Sequence, residues 1–246
     1  MKPSKWYVWL TLLLVAVSVA FYSLQLAVFH RPHDTFFYML QDLAFVPVQV
    51  LLVTLILNDL MARRERKQLL QKMNMVIGSF FSEMGAELIM ALSAYDKGFG
   101  QLRQAIQLDS SWKTEDFRAA RARVSGLRHE IDARQADLSC LKVFLRDKRG
   151  FVLGLLENQN LLEHQTFTDL LWAVTHLAEE LQFRPTLEGL PEADYQHLSG
   201  DIKRVYSLLL LEWLEYANHL RRAYPYMYSL VVRRNPFSES NNVIIK

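Results

Sequence analysis

Two long apolar runs open the chain, and a 3–4 rhythm of apolar positions organises the rest. From Trp6 to Phe29 no residue is charged. A helix rises 1.5 Å per residue, so about 20 residues cross a hydrocarbon core about 30 Å thick. Trp6, Tyr7 and Trp9 stand at one end of the run, where amphipathic rings favour the headgroup layer. A cleaved leader is the competing reading: Lys2 and Lys5 make a basic start, and Ser18-Val19-Ala20 imitates a cleavage site. The run continues well past Ala20, longer than a leader needs, which favours a retained span over residues 6–29.

The second run, about 35–58, ends in Arg63, Arg64, Glu65, Arg66 and Lys67. Only His30 to Asp34 separate the runs, so the two helices are expected to be antiparallel neighbours. Basic residues flank both outer ends, while the turn has one Arg offset by Asp34. The positive-inside rule therefore places both termini on the cytoplasmic side of a plasma membrane, with Arg63, Arg64, Arg66 and Lys67 at the lipid headgroups. That cluster is read as an anchor, and nucleic acid is not an expected partner.

Beyond the hairpin, Leu70, Met73, Ile77, Phe80, Met84, Glu87, Ala91 and Ala94 keep a coiled-coil spacing. No breaker interrupts residues 60–95, so the second span is expected to continue as a helix out of the membrane. The face it carries needs a partner, and a homo-oligomer is the expected one. Lys97-Gly98-Phe99-Gly100 should stop the helix, with a short helix following from Gln101 to Leu108. Phe117, Ala120, Val124, Leu127, Ile131, Arg134, Leu138, Leu141, Leu145, Lys148, Val152 and Leu155 repeat the rhythm. They predict one very long helix, or two stacked near Arg134, about 60 Å overall. Gly150 and Gly154 would let another helix approach closely.

Thr166 with Asp169 resembles a capping box ahead of a helix buried through Leu170, Val174, Leu177 and Leu181. Arg184-Pro185 and Gly189-Leu190-Pro191 should end it. A last long helix, starting near Glu192 or Ser199, would bury Ile202, Val205, Tyr206, Leu209, Trp213, Tyr216 and Leu220. Its apolar run from Leu208 to Leu211 is too short to span and is followed by Glu212 and Glu215. Tyr224, Tyr226 and Tyr228 surround Pro225 and precede Arg233-Arg234, and residues 235–246 read as a loose tail. The expected fold is an all-α membrane protein: a two-helix hairpin over residues 1–60, then a long-helix cytoplasmic bundle over 61–234.

Composition narrows the function classes. Of 246 residues 22% are charged, with a formal net charge of +2, so the chain is neither a polyanion binder nor an acidic tail. Gly (9) and Pro (7) are scarce, which suits long helices with short connections. The single cysteine, Cys140, excludes an internal disulfide and any multi-Cys metal site, and reads as a small buried hydrophobe. No nucleotide, hydrolase or redox motif occurs. His176 with Glu179 and Glu180, and Glu215 with His219, have ligand-compatible spacing, but both suit a solvated helix face. Neither a catalytic residue, a cofactor nor a metal site is expected.

The candidate chemistry lies in the hairpin. Thr11, Ser18 and Gln25 are spaced by seven in the first span, as are Thr35, Asp42 and Gln49 in the second. Seven residues are nearly two turns, so each set shares a face. In an antiparallel pair facing positions keep a constant index sum, and Gln25 with Asp42 and Ser18 with Gln49 share one. A carboxylate within an apolar span costs several kcal/mol unless paired, protonated or wet, about 2.5–3.5 at the low end of estimates. Pro47 removes a backbone donor and is expected to kink the helix. Copies of Asp42 could ring a cation path in a homo-oligomer, with Glu83 and Glu87 as acidic rings below it. Alternatively Asp42 hydrogen-bonds Gln25, and the hairpin only anchors a helical scaffold or signalling module.

Overall fold

A computed structural model describes residues 5–158, 161 and 164–238. The described residues form an all-helical fold. Two compact units part at Arg66/Lys67.

The first unit holds α1 (Lys5–Phe29) and most of α2 (Pro32–Phe80). The turn between them is shorter than expected, because Pro32 already starts α2 with its preset φ. His30 takes φ 52°, the left-handed conformation that ends a helix, and its N–H donates to Leu26 O at 3.0 Å. Helix α2 runs unbroken through Pro47. Both helices are long and apolar enough to cross a membrane, and the Val, Leu, Ile and Phe side chains described between residues 8 and 60 are exposed. The more covered positions are Tyr22, Gln25, Asp34 and Thr35.

In the second unit the expected heptad face is exposed at Leu70, buried from Met73 to Met84, and then slips. Met73, Ile77, Phe80 and Met84 are buried, but Glu87 and Ala94 are exposed and Leu88, Leu92 and Tyr95 are buried in their place. The cause is a π turn over Phe81–Gly85, between α2 and α3 (Ala86–Ser93). A π turn takes in one extra residue, so every later core position moves on by one. From Ile77 onward the buried positions of this stripe pack within the chain's own helical core.

The expected 117–155 rod is two helices, α5 (Thr114–Gly126) and α6 (Leu138–Leu156), separated by an extended segment. The segment is tied to the end of α3. Lys97 N donates to Glu130 O at 3.1 Å and Asp132 N to Tyr95 O at 3.0 Å, around a single bridge between Asp96 and Ile131. Buried Asp96 meets His129 Nδ1 at 3.2 Å, and Tyr95 Oη donates to Asp137 O at 2.9 Å. Those fixed partners compete successfully with a helix that the apolar spacing alone would allow. Asp137 caps α6 by accepting from Ser139 N at 2.7 Å. Cys140 is exposed, not buried, and its thiol donates to Asp137 Oδ2 at 3.1 Å. Gly150 and Gly154 face open space, so no helix approaches them.

The remaining elements are α4 (Phe99–Ala105), α7 (Gln165–Phe183), α8 (Glu192–Ala223) and α9 (Pro225–Arg233). The cap of α7 is His164, whose Nδ1 accepts from Phe167 N, and not a Thr166–Asp169 box; Thr166 is used elsewhere. Helix α8 is the central staff of the bundle. Its expected face from Ile202 to Leu220 is buried against α5, α7 and α9. The start of the expected loose tail is packed: Phe237 is 1% exposed, edge-on to Trp213, and its carbonyl accepts from Arg103 Nε at 3.0 Å. Residues 239–246 of that tail lie outside the described ones.

Candidate functional site

In the hairpin the structure brings Ser18, Gln25 and Asp42 to one groove, with Tyr22, Phe21 and Val28. Asp42 does not take Gln25 as its partner. Tyr22 Oη donates to Asp42 Oδ2 at 3.2 Å. Ser18, Tyr22 and Gln25 are spaced four and three apart on one face of α1, so a phenol counted as apolar belonged to the polar set all along. Thr35 is buried and donates to its own helix, Thr35 Oγ1 to Arg31 O at 3.2 Å. Gln49 is exposed and is not among the groove residues. Arg63 pairs with Asp59 one turn earlier at 2.9 Å, and Arg64, Arg66 and Lys67 are exposed.

The second unit holds a cleft that sequence reasoning missed, running between the π turn and the C-terminal half of α8. Phe80 and Phe81 meet edge to face at 5.2 Å, and Phe81 stacks on Tyr216 at 4.9 Å with planes 12° apart. On one side of Tyr216 the walls are apolar: Phe81, Trp213, Leu220, Met227, Leu230 and Val231. Glu83, within the π turn, and Glu87, just after it, are exposed and stand at its rim. On the other side the walls are polar: Arg121, His164, Thr166, Glu212, Asn218 and Arg222. A helix that keeps the α period cannot present Phe81 and Glu87 to one cleft with Met84 and Leu88 in the core; the extra residue permits it.

Electrostatics in the polar limb are set by burial. Glu212 is buried, which pushes its carboxyl up, and the hydrogen bond from Thr166 Oγ1 at 2.6 Å works against that rise. His219 is pushed down by burial and by the Arg222 charge. Arg121 is engaged by Glu215 at 2.6 Å. The side-chain oxygen of Asn218 is buried with no hydrogen-bond partner among the described residues. With an apolar wall and a charged wall meeting at Tyr216, the cleft can hold a molecule that has one greasy and one polar end.

The chain is similar to a protein of Methanocaldococcus jannaschii described as "Uncharacterized protein MJ1433". The two are 39% identical over 244 residues, which covers 99% of this chain and 98% of the relative. The family described as the C-terminal helical domain of MJ1433 matches residues 69–233, and its N-terminal helical domain matches residues 2–61. No solved structure matches.

Proposed function

This chain belongs to the MJ1433 family, and we propose that it is a membrane-anchored helical module that does not conduct ions. In this reading α1 and the first half of α2 hold it in the bilayer. Both termini lie on the cytoplasmic side, and the helical unit recognises an amphipathic ligand at the Tyr216 cleft. The observation that carries it is the closure of Asp42 onto Tyr22 of its own hairpin. A carboxylate that takes a partner within its own hairpin offers less to a shared water-filled path, which supports the anchor reading. Arg64, Arg66 and Lys67 suit contact with anionic lipid, each contributing about 1 kcal/mol.

A conducting homo-oligomer is the second reading, supported by the groove in which Ser18, Gln25 and Asp42 face one another. The purified protein reconstituted in liposomes, with Asp42→Asn alongside, separates the two. The anchor reading expects no cation flux from either. Flux that falls on substitution of Asp42 would overturn it in favour of a channel.

A further inference from the structure

Two helical pairs that are far apart in sequence meet on the packed faces of α7 and α8. Helix α7 presents His176 and Glu180, one turn apart, and α8 presents His197 and Asp201, also one turn apart. We infer that His176 Nε2, His197 Nε2 and Asp201 Oδ2 form a site for one divalent transition-metal ion. The site shares no residue with the hairpin groove or the Tyr216 cleft, so it stands or falls independently of the anchor reading.

Three observations point to a cation. The donor atoms of His176, His197 and Asp201 all lie within 4.8 Å of one another. Asp201 is 4% exposed, and its Oδ2 is buried with no hydrogen-bond partner among the described residues. A buried carboxylate oxygen that accepts no hydrogen bond is rare in a folded protein. Yet two imidazole nitrogens face this one oxygen, His197 Nε2 at 3.3 Å and His176 Nε2 at 3.6 Å.

Those separations suit ligands of a common ion. Bonds of about 2.0–2.1 Å to nitrogen or oxygen in a tetrahedral centre place neighbouring ligand atoms about 3.3–3.5 Å apart. Glu180 closes a further side, with Oε2 at 3.4 Å from His197 Nε2 and Oε1 at 4.0 Å from His176 Nε2.

The surroundings orient these groups. Arg204 Nη1 donates to Asp201 Oδ1 at 3.3 Å, which leaves Oδ2 to face the imidazoles. Arg184 holds Glu180 Oε2 at 2.6 Å and is itself clamped by both oxygens of Asp194. Supporting partners of this kind set ligand orientation and affinity. Asp201 is rooted in the core, whereas both histidines are partly open to solvent, so an ion has a way in. Two imidazoles and one carboxylate suit zinc-like ions, whereas magnesium and calcium take oxygen ligands. Three protein ligands leave a position open to water or to a small anion.

The test uses tag-free, full-length protein in detergent, stripped with chelator and titrated with Co2+. We expect one equivalent per chain, a visible band of low-symmetry cobalt, and displacement by Zn2+ but not by excess Mg2+. His176→Gln and His197→Gln should each weaken binding by about a hundredfold. Both side chains are partly exposed, so helix content and metal-free melting should stay at the wild-type values. Absence of a saturable equivalent in the wild type would overturn the site. So would equal cobalt affinity in the wild type and both variants, which would leave the histidines as ion-pair partners of Asp201 only.

Discussion

Adding one methyl group to Gly85 should reveal whether the π turn is built as described. A Cβ there would lie 2.6 Å from Phe81 Cδ1 and 2.9 Å from Phe80 Cε1, both well inside contact distance. Neither ring can move freely. Phe80 is wholly buried and edge-on to Phe167 at 5.2 Å, and Phe81 is stacked on Tyr216. Overpacking of this kind costs about 1–3 kcal/mol, while replacing a helical glycine by alanine returns about 1. The net expectation for Gly85→Ala is a loss of up to about 2 kcal/mol, from the two preceding ranges taken together. Gly78 supplies the control on the same helix, because its Cβ would meet Tyr216 Cε2 at an ordinary 3.6 Å. Gly78→Ala should therefore gain up to about 1 kcal/mol. Urea unfolding of the full chain in detergent, followed by circular dichroism, reads both. Phe81→Leu, which removes the nearer ring, should cancel most of the additional cost of Gly85→Ala relative to Phe81→Leu alone. A Gly85→Ala protein as stable as Gly78→Ala would refute the crowding and the turn that causes it.

Two other outcomes follow from the helical unit. Burial raises the Glu212 carboxyl above its usual 4.5. The folded chain then holds a proton that the unfolded chain releases, so wild-type stability falls as pH rises above about 4.5 through that window. Glu212→Gln removes the titration, and thermal melts should show the variant gaining on the wild type between pH 4.5 and pH 8. A difference independent of pH would contradict the buried carboxyl. Phe237→Ala empties a filled position beside Trp213 and Phe99 and should cost about 3–5 kcal/mol in the same urea assay. A surface-like cost below about 0.5 kcal/mol would instead restore the loose-tail reading.

Much of the helical architecture was open to inspection in the amino-acid order, because each local signal is strong. The two apolar runs, the Arg184–Pro191 break and the buried face of α8 all follow from spacing and turn chemistry within a few residues. Asp42 stood out in the sequence as a carboxylate within an apolar run, and in the structure Tyr22 donates to it. Its partner was missed because Tyr22 scores as apolar in a periodic pattern while carrying a hydroxyl.

Tertiary structure decided what periodicity cannot encode. One extra residue at Phe81–Gly85 turns Glu87 outward and Leu88 inward, and a heptad count has no means of seeing an insertion that leaves the helix unbroken. The rhythm through Leu127 and Ile131 gave way because buried Asp96 needed His129 beside it, a demand made by a residue 33 positions away. His176 and Glu180 looked like an ordinary solvated face until α8 laid His197 and Asp201 against them. Secondary structure responds to neighbours within a turn or two. A site assembled across two helices depends on which faces the core brings together, and the balance of burial over the whole unit selects those faces.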